Sequence, residues 1–448
     1  MDDLQNTYFV EAIDLTHDAL GVCRLDDGYT VFVEDLLKGE RAEIMITSRK
    51  KNFGFGKVIE RLERSPYRVA PKCRHFYECG GCSLMHMDYD LQLHFKQYRL
   101  ESQLKRELKR DVLVKDTVPM MNPYFYRNKV EIKFSRGEKG IEAGFFQTKS
   151  HHVVNLEECW IMPKRTFETL NLLKNIANEL GILAYDEITG TGLLKSAVFR
   201  ESLTTKEMSI LLHTSSEEFV SQEAFVKKMV AKTPELISIG RSIATDESSL
   251  SNDKITLLYG KKHSTDHLHH LSFEIGFRSF FQTNTLQTEK LYAKAMEYAQ
   301  LTGKEKVIDA YCGIGSIGLT AAKDAYKVFG IEVVKPAVTD AKKNATKNQI
   351  ENAFFEVGTA EAVLPKWKKY AFDVIFIDPP RRGCDTHFIQ TLIEMKIPRI
   401  VYVSCDPATF ARDVKALSEG GYVLKEVTPV DMFPQTPHIE AVGLLTHS

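Results

Sequence analysis

Short apolar runs, rich in β-branched and aromatic residues, mark the start of the chain. Tyr8-Phe9-Val10, Gly28-Tyr-Thr-Val-Phe-Val33 and Ala42-Glu-Ile-Met-Ile46 are separated by turn residues such as Asp26-Asp27-Gly28 and Lys38-Gly39-Glu40, which reads as a series of strands. Residues 1–60 thus suit a small OB-like barrel, a fold whose open face commonly binds oligonucleotides. Between Asp88 and Lys115 the spacing turns helical. Leu91, Leu93, Phe95, Tyr98, Leu100, Leu104 and Leu108 recur among Lys96, Arg99, Lys105, Arg106, Lys109 and Arg110, predicting an amphipathic surface helix over 89–115 with one face able to pack on the C-terminal domain. From Tyr124-Phe-Tyr-Arg-Asn-Lys129 to about residue 260 strands mix with helices such as Lys164–Leu180, a β-rich α+β central domain over 61–268. The His-rich stretch 263–270 lacks ligand spacing and is expected to be a solvent-exposed loop.

Residues 269–448 change rhythm. Lys306-Val-Ile-Asp-Ala-Tyr-Cys-Gly-Ile-Gly-Ser-Ile-Gly318 reads as a buried strand, a glycine turn and a helix start. Similar strands return at Lys327–Val333, Phe372–Asp378 and Pro398–Ser404. Apolar strands alternating with helices predict an α/β, doubly wound parallel sheet. Ligands bind such sheets at the carboxyl ends of the strands, where Asp309, Glu332, Asp378 and Cys405 fall. Gly313-x-Gly315-x-x-Gly318 fits a dinucleotide fingerprint, and Glu332 follows at a spacing that suits ribose hydroxyls. NAD and S-adenosylmethionine (SAM) enzymes share that arrangement. Asp378-Pro-Pro-Arg-Arg-Gly383 resembles the loop beside the SAM sulfonium of nucleic-acid methyltransferases. It carries Arg381 where amino-group methyltransferases usually have an aromatic residue. Ser404-Cys405-Asp406-Pro407 ends a strand and opens a helix, a position expected to favour thiolate. Phe433-Pro-Gln-Thr-Pro-His-Ile-Glu440-Ala sets one acid in an uncharged stretch, which would raise its pKa toward that of a useful base.

A net charge of −1 speaks against nucleic acid only on average. Residues 1–37 carry nine acids and one base, net −8, whereas residues 38–72 carry ten bases and four acids, net +6, so the surface has a sign. In Arg49-Lys-Lys-Asn-Phe-Gly-Phe-Gly-Lys57, bases interleave with Phe53 and Phe55. These rings either stack on unpaired bases or tuck into the barrel. The acidic amino terminus has neither the basic start nor the apolar core of a signal peptide, and no apolar stretch is long enough to span a membrane. A cytoplasmic protein is expected. Its eight cysteines then suggest metal or catalysis rather than disulfides. Cys73-x5-Cys79-Gly-Gly-Cys82, with Cys159 far downstream, suits zinc or an iron–sulfur cluster, and His75 and His86 are possible zinc substitutes.

Gly28-Tyr-Thr-Val-Phe-Val-Glu-Asp-Leu-Leu-Lys-Gly-Glu40 with Ser65-Pro66-Tyr67-Arg68 resembles a TRAM domain, the small RNA-binding barrel of some RNA-modifying enzymes. Tyr126–Lys129, Phe280-Phe-Gln-Thr-Asn284, Asp309-Ala-Tyr-Cys-Gly313, Asp378–Gly383, Ser404–Pro407 and His438-Ile-Glu-Ala441 follow in order. Together with the cysteines they resemble the uridine-C5 RNA methyltransferases of the TrmA/RumA type, over nearly the whole chain. The resemblance implies a [4Fe–4S] cluster on Cys73, Cys79, Cys82 and Cys159. It implies a SAM site lined by Gln282, Tyr311, Gly313, Glu332 and Asp378, and a target base met by Phe280 and Gln282. It further implies that Cys405 adds to C6 of uracil so that C5 can attack the SAM methyl group, and that Glu440 then removes the C5 proton. The target uridine must be unpaired or flipped.

Members with both a TRAM domain and the cysteines most often act on 23S ribosomal RNA, which is the expected partner; a tRNA T-loop uridine is the alternative. An enzyme of this size is expected to work as a monomer. Three other readings stand beside these: RNA cytosine-C5 methylation using Cys384, an NAD-dependent iron–sulfur oxidoreductase, and a non-catalytic RNA scaffold.

Overall fold

The computed structural model describes residues 6–243 and 254–447. Strands β1 (Thr7–Leu15), β2 (Gly21–Arg24), β3 (Thr30–Glu34), β4 (Arg41–Arg49) and β5 (Phe53–Glu63) close into a barrel in the order β1-β2-β3-β5-β4. Alternation along the strands turns Val10, Ala12, Val31, Val33, Ala42, Ile44 and Ile46 inward and fixes the register. In β5 the inward positions are Gly54 and Gly56, so Phe53 and Phe55 stand outside the barrel and cluster with Phe32.

Helix α1 (Tyr89–Leu108) is capped by Asp88, whose carboxylate accepts from Leu91 N at 2.7 Å. Two expectations need correction. The helix stops at Leu108, because Lys109 turns left-handed (φ 54°), and the chain beyond runs beside a C-terminal strand, with Lys115 N donating to Val427 O at 2.9 Å. Nor is it a surface helix: Gln92, Phe95, Lys96, Leu100 and Leu104 are buried. Leu100 and Leu104 join the core of the C-terminal domain.

The central domain comprises β6 (Lys129–Gly137), β7 (Gly140–Gly144), α2 (Lys164–Glu179), β8 (Leu194–Glu201), β9 (Met208–Thr214), α3 (Gln222–Lys232), β10 (Leu236–Ile243) and β11 (Ile255–Gly260). Its sheet has the order β11-β10-β9-β8-β6-β7, and the helices pack on it through Leu170, Leu173, Ile176, Phe225 and Met229. The His-rich stretch is not a loop. It forms a hairpin of β12 (His263–Leu268) and β13 (Leu271–Gly276), because Ser264, Asp266 and Leu268 alternate inward while His263, Thr265 and His267 alternate outward.

The C-terminal domain follows the doubly wound pattern: α4 (Thr285–Ala299), β14 (Lys306–Ala310), α5 (Ser316–Ala322), β15 (Lys327–Glu332), α6 (Lys335–Lys347), β16 (Ala353–Val357), α7 (Ala360–Val363), β17 (Val374–Ile377), α8 (Thr386–Met395), β18 (Arg399–Ser404), α9 (Pro407–Glu419), β19 (Tyr422–Val430) and β20 (Glu440–His447). The sheet order is β16-β15-β14-β17-β18-β20-β19, parallel as far as β18 and antiparallel through β20 and β19. Continuous apolar strands such as Val374–Ile377 are buried on both faces, as a helix-covered parallel sheet requires.

Candidate active site

Strand register assembles the site. In the parallel ladders Ala310 pairs with Ile331 and with Ile377. One residue further on, Tyr311, Glu332 and Asp378 therefore share a row along the carboxyl edge. In the antiparallel ladder Ser404 pairs with Ala441, so continuing the register by one step sets Cys405 opposite Glu440. Residues far apart in sequence thus converge through hydrogen-bond register alone.

The glycine turn is shaped by its backbone. Tyr311 (φ 65°), Gly313 (φ 55°) and Gly315 (φ 85°) are left-handed, and such a conformation at a bulky Tyr is a strain that active sites concentrate. The Tyr311 hydroxyl donates to Glu361 Oε1 at 3.1 Å, and its ring meets Phe388 edge-on. The Glu332 carboxylate accepts from Gly313 N at 3.1 Å and Val334 N at 2.8 Å, which fixes an acid where a ribose would lie. Ser316 exchanges a 2.8 Å hydrogen bond with Tyr292. Phe280 is 65% exposed, whereas the next two residues, Phe281 and Gln282, are buried.

Charge in the site is held unsatisfied. Burial, then the neighbouring Asp378 carboxylate, pushes the Glu440 carboxyl well above its usual range, with Arg381 pulling the other way. Glu440 Oε2 is buried without a hydrogen-bond partner. Burial likewise raises Asp378. The neighbourhood of Glu440 is thus not uncharged, as its flanking sequence suggested: Asp378 and Arg381 face it from another loop. The thiolate expectation for Cys405 also needs correction. Burial, Glu440 and Asp378 push its thiol up to about 12 despite Arg381. The donors at the start of α9 are taken by the Asp406 carboxylate, which accepts from Ala408 N and Thr409 N.

Cys384 lies elsewhere. It is buried in the sheet core, its thiol 3.6 Å from the Tyr402 hydroxyl and its backbone N–H donating to Asp413 at 2.7 Å. A nucleophile must reach the face of a base, so this position does not suit the cytosine reading.

Cys73, Cys79, Cys82 and Cys159 line one cavity, walled by Phe76, Met85, Phe145 and Trp160 among others. Burial and the other thiols raise Cys73 to about 11 and Cys79 to about 11, and raise Cys82 further. Among the described residues no three His, Cys, Asp or Glu side chains group closely enough to share one metal ion. His75 is otherwise engaged, its Nε2 accepting from Glu157 N at 3.0 Å, and His86 sits against the Phe76 ring. The four thiols stand half-buried around that cavity.

A cleft of about 440 Å³ opens among Asp18 of the barrel end, Gly80, Gly81 and Ser83 of the cysteine loop, Arg127 and Phe145–Phe146, and Thr436–His438 just before Glu440. Three residues that organise the site drew no separate attention in sequence. Asn128 donates to Gln282 O and Thr285 Oγ1, both at 2.9 Å. Asn284 caps α4 and donates to Met432 O at 3.0 Å. Asp431 binds Lys96 and the Tyr89 hydroxyl. Asn128 and Asn284 lie inside the quoted strings, but the Asp431 carboxylate carries no local signal, because Lys96 and Tyr89 lie more than 300 positions away.

A family model described as tRNA (Uracil-5-)-methyltransferase matches residues 88–448, and a TRAM domain model matches residues 8–59. An RNA methyltransferase of Halalkalibacterium halodurans is 42% identical over 436 residues, 96% of this chain and 95% of that protein. One from Listeria monocytogenes is 43% identical over 435 residues, 96% of each chain. Among solved structures, the Pyrococcus abyssi tRNA (uracil-54, C5)-methyltransferase in complex with S-adenosyl-L-homocysteine matches with a TM-score of 0.78 and 30% identity, covering 98% of this chain and 99% of that one.

Proposed function

The chain belongs to the tRNA (uracil-5-)-methyltransferase family and is a SAM-dependent RNA uracil-C5 methyltransferase; from that premise we propose that it methylates loop uridines of 23S ribosomal RNA, with Cys405 as nucleophile and Glu440 as base. The observation that carries the assignment of roles is the register of β18 and β20, which sets Cys405 and Glu440 face to face beside Asp378.

Uracil C5 is a poor nucleophile. Addition of Cys405 Sγ to C6 forms the C–S bond and moves the ring electrons toward C5 and O4 as an enolate. C5 takes the methyl group from SAM, and S-adenosylhomocysteine leaves. Glu440 then removes the C5 proton, the C5–C6 double bond re-forms, and the C6–S bond breaks to return the Cys405 thiolate. Burial keeps the resting Cys405 as a thiol, so its proton passes to solvent as the target base enters and Sγ adds to C6. A carboxyl lifted above its ordinary range is a stronger base than a surface Glu. Phe280, whose ring is exposed, would stack on the flipped base, with the buried Gln282 meeting the same base. Tyr311, Gly313, Glu332 and Asp378 would hold SAM along the strand ends.

The donor set at Cys73, Cys79, Cys82 and Cys159 suits a [4Fe–4S] cluster, which would knit the loop 73–82 to Cys159. Methyl transfer from SAM by this route is redox-neutral, so the chemistry asked of the cluster is structural. The pairing of a TRAM barrel with these thiols supports the ribosomal substrate. A tRNA T-loop uridine is the second reading, favoured by the full-length match to the Pyrococcus abyssi tRNA enzyme. Incubating the protein and SAM with 5-fluorouridine-substituted 23S RNA and tRNA tests both, because fluorine cannot leave as a proton does. A denaturing-gel adduct is expected with 23S RNA for wild type and not for Cys405→Ala. An adduct with tRNA alone moves the substrate to the second reading, and none with either overturns the covalent route.

A further inference from the structure

Between β19 and β20 the chain leaves the sheet at Val430 and returns at Glu440. This strap, residues 431–439, follows an irregular path, yet side chains and backbone from distant elements fasten it. Lys96 binds Asp431 and donates to Phe433 O at 3.0 Å, and the Tyr89 hydroxyl donates to Asp431 Oδ2 at 2.7 Å. Gln287 holds Asp431 O and Asn284 holds Met432 O, each at 3.0 Å. The Tyr126 hydroxyl donates to Pro434 O at 2.9 Å, and Arg99 to Pro437 O.

Gln435 is the knot. It is buried and left-handed (φ 69°), a conformation that costs a non-glycine residue on the order of 1 kcal/mol and persists where the surroundings over-determine it. Its carbonyl accepts from both Ser83 N and Leu84 N at 3.0 Å, the two residues that follow Cys82. Its backbone N–H donates to Gln92 Oε1 at 3.0 Å, while Gln92 Nε2 donates back to Gln435 Oε1 at 3.1 Å. The cysteine loop and α1 therefore grip the same residue, five positions before Glu440.

We propose that Gln435 is a positioning residue that couples the cysteine loop to proton removal by Glu440. The proposal rests on the reading of Glu440 as the base. Cys405 hangs from β18, outside the strap, so loosening the strap leaves the nucleophile in place, and drawing Glu440 away eases rather than hinders its addition to C6. It slows the last step, in which Glu440 takes the C5 proton, the double bond re-forms and the C6–S bond breaks. The methylated covalent adduct should then accumulate on ordinary uridine.

The test is a single-turnover reaction of full-length protein with SAM and unmodified uridine RNA, following the protein–RNA adduct on denaturing gels. Gln435→Ala and Gln92→Ala break the same side-chain pair from its two ends and so loosen the residue that Ser83 and Leu84 hold by its backbone carbonyl; either serves if the other folds poorly. Both are expected to form adduct at the wild-type rate or faster, with KM for SAM and RNA unchanged, and to release it about 10- to 100-fold more slowly, the scale of a displaced catalytic group. Glu440→Gln should trap the same adduct. If Glu440→Gln traps it while both strap variants release it at the wild-type rate, or show only a raised KM, the coupling is overturned and the base assignment stands. If Glu440→Gln traps none, the base assignment falls and takes the coupling with it.

Discussion

Two buried glutamates, one in each end domain, are treated in opposite ways. Glu40 in the barrel is 0% exposed and Glu440 in the sheet is 4% exposed. Burial pushes both carboxyls up. At Glu40 that effect is outweighed: Arg68 donates to Oε1 at 2.5 Å and to Oε2 at 2.7 Å, and Leu37 N and Ser65 N add bonds at 2.9 and 3.1 Å. Its carboxyl is held below the ordinary range. Glu440 has an orphaned oxygen and a like-charged neighbour, and stays high. A carboxylate with every lone pair engaged is a strut. One with an oxygen left orphaned is stored basicity, and an unsatisfied buried group deserves a chemical explanation.

The largest effect on stability is therefore expected where chemistry is absent. Glu40→Gln breaks a buried ion pair and leaves Arg68 short of a partner, a loss of about 3 kcal/mol. Urea unfolding should show it, with the rate of methyl transfer at saturating RNA little changed. Glu440→Gln, which removes a raised carboxyl with one orphaned oxygen, should unfold no earlier than wild type. Equal destabilisation by the two would erase the distinction between strut and base.

Asp309 stands between these extremes and gives a graded test. Its Oδ2 accepts from Gly318 N at 2.7 Å, while Oδ1 is buried without a partner. Burial raises its carboxyl to about 8, against the one backbone bond and helped by Asp378 and Glu332. The folded state thus holds the proton more tightly than the unfolded chain. The stabilisation is complete below the unfolded value near 3.8 and is lost as pH rises through about 8. Asp309→Asn keeps an oxygen for Gly318 and removes the charge. Its stability relative to wild type should grow by about 1.4 kcal/mol per pH unit across that window. A difference that is flat with pH would mean that Asp309 is already ionised at low pH.

The contrast between the ends also decides how much was legible in sequence. Doubly wound strands announced themselves as continuous apolar runs, and the turn at Gly313–Gly318 by its spacing. The two strings that resembled a TRAM domain, Gly28–Glu40 and Ser65–Arg68, turn out to meet: Glu40 is bonded by Ser65 N and Arg68. Local pattern failed where long-range partners decide. Lys96 looked like one more base on a solvated helix, yet it is buried on Asp431, 335 positions away. The state of Cys405 was misjudged for the same reason. Its helix-start position is local, whereas Asp378 and Glu440, which suppress ionisation, arrive through sheet register.

The smallest expected effect lies on the outer face of the barrel, where charge meets solvent. Arg49 lies 5.2 Å from the Tyr29 ring centroid and 5.9 Å from that of Tyr8, and donates to the Tyr8 hydroxyl at 2.9 Å. Two rings pre-set its guanidinium at the exposed barrel end, where it is available to a phosphate. Unlike the groups around Glu440, it is screened by salt. Arg49→Ala should therefore weaken RNA binding by less than about 1 kcal/mol and make the slope of log K against log salt shallower by about 0.7, one phosphate contact on a single strand. The adduct-release rate should not move. A salt slope identical to wild type would remove Arg49 from the RNA contact, whereas a slower release would show that the barrel's outer face, too, reports to Glu440.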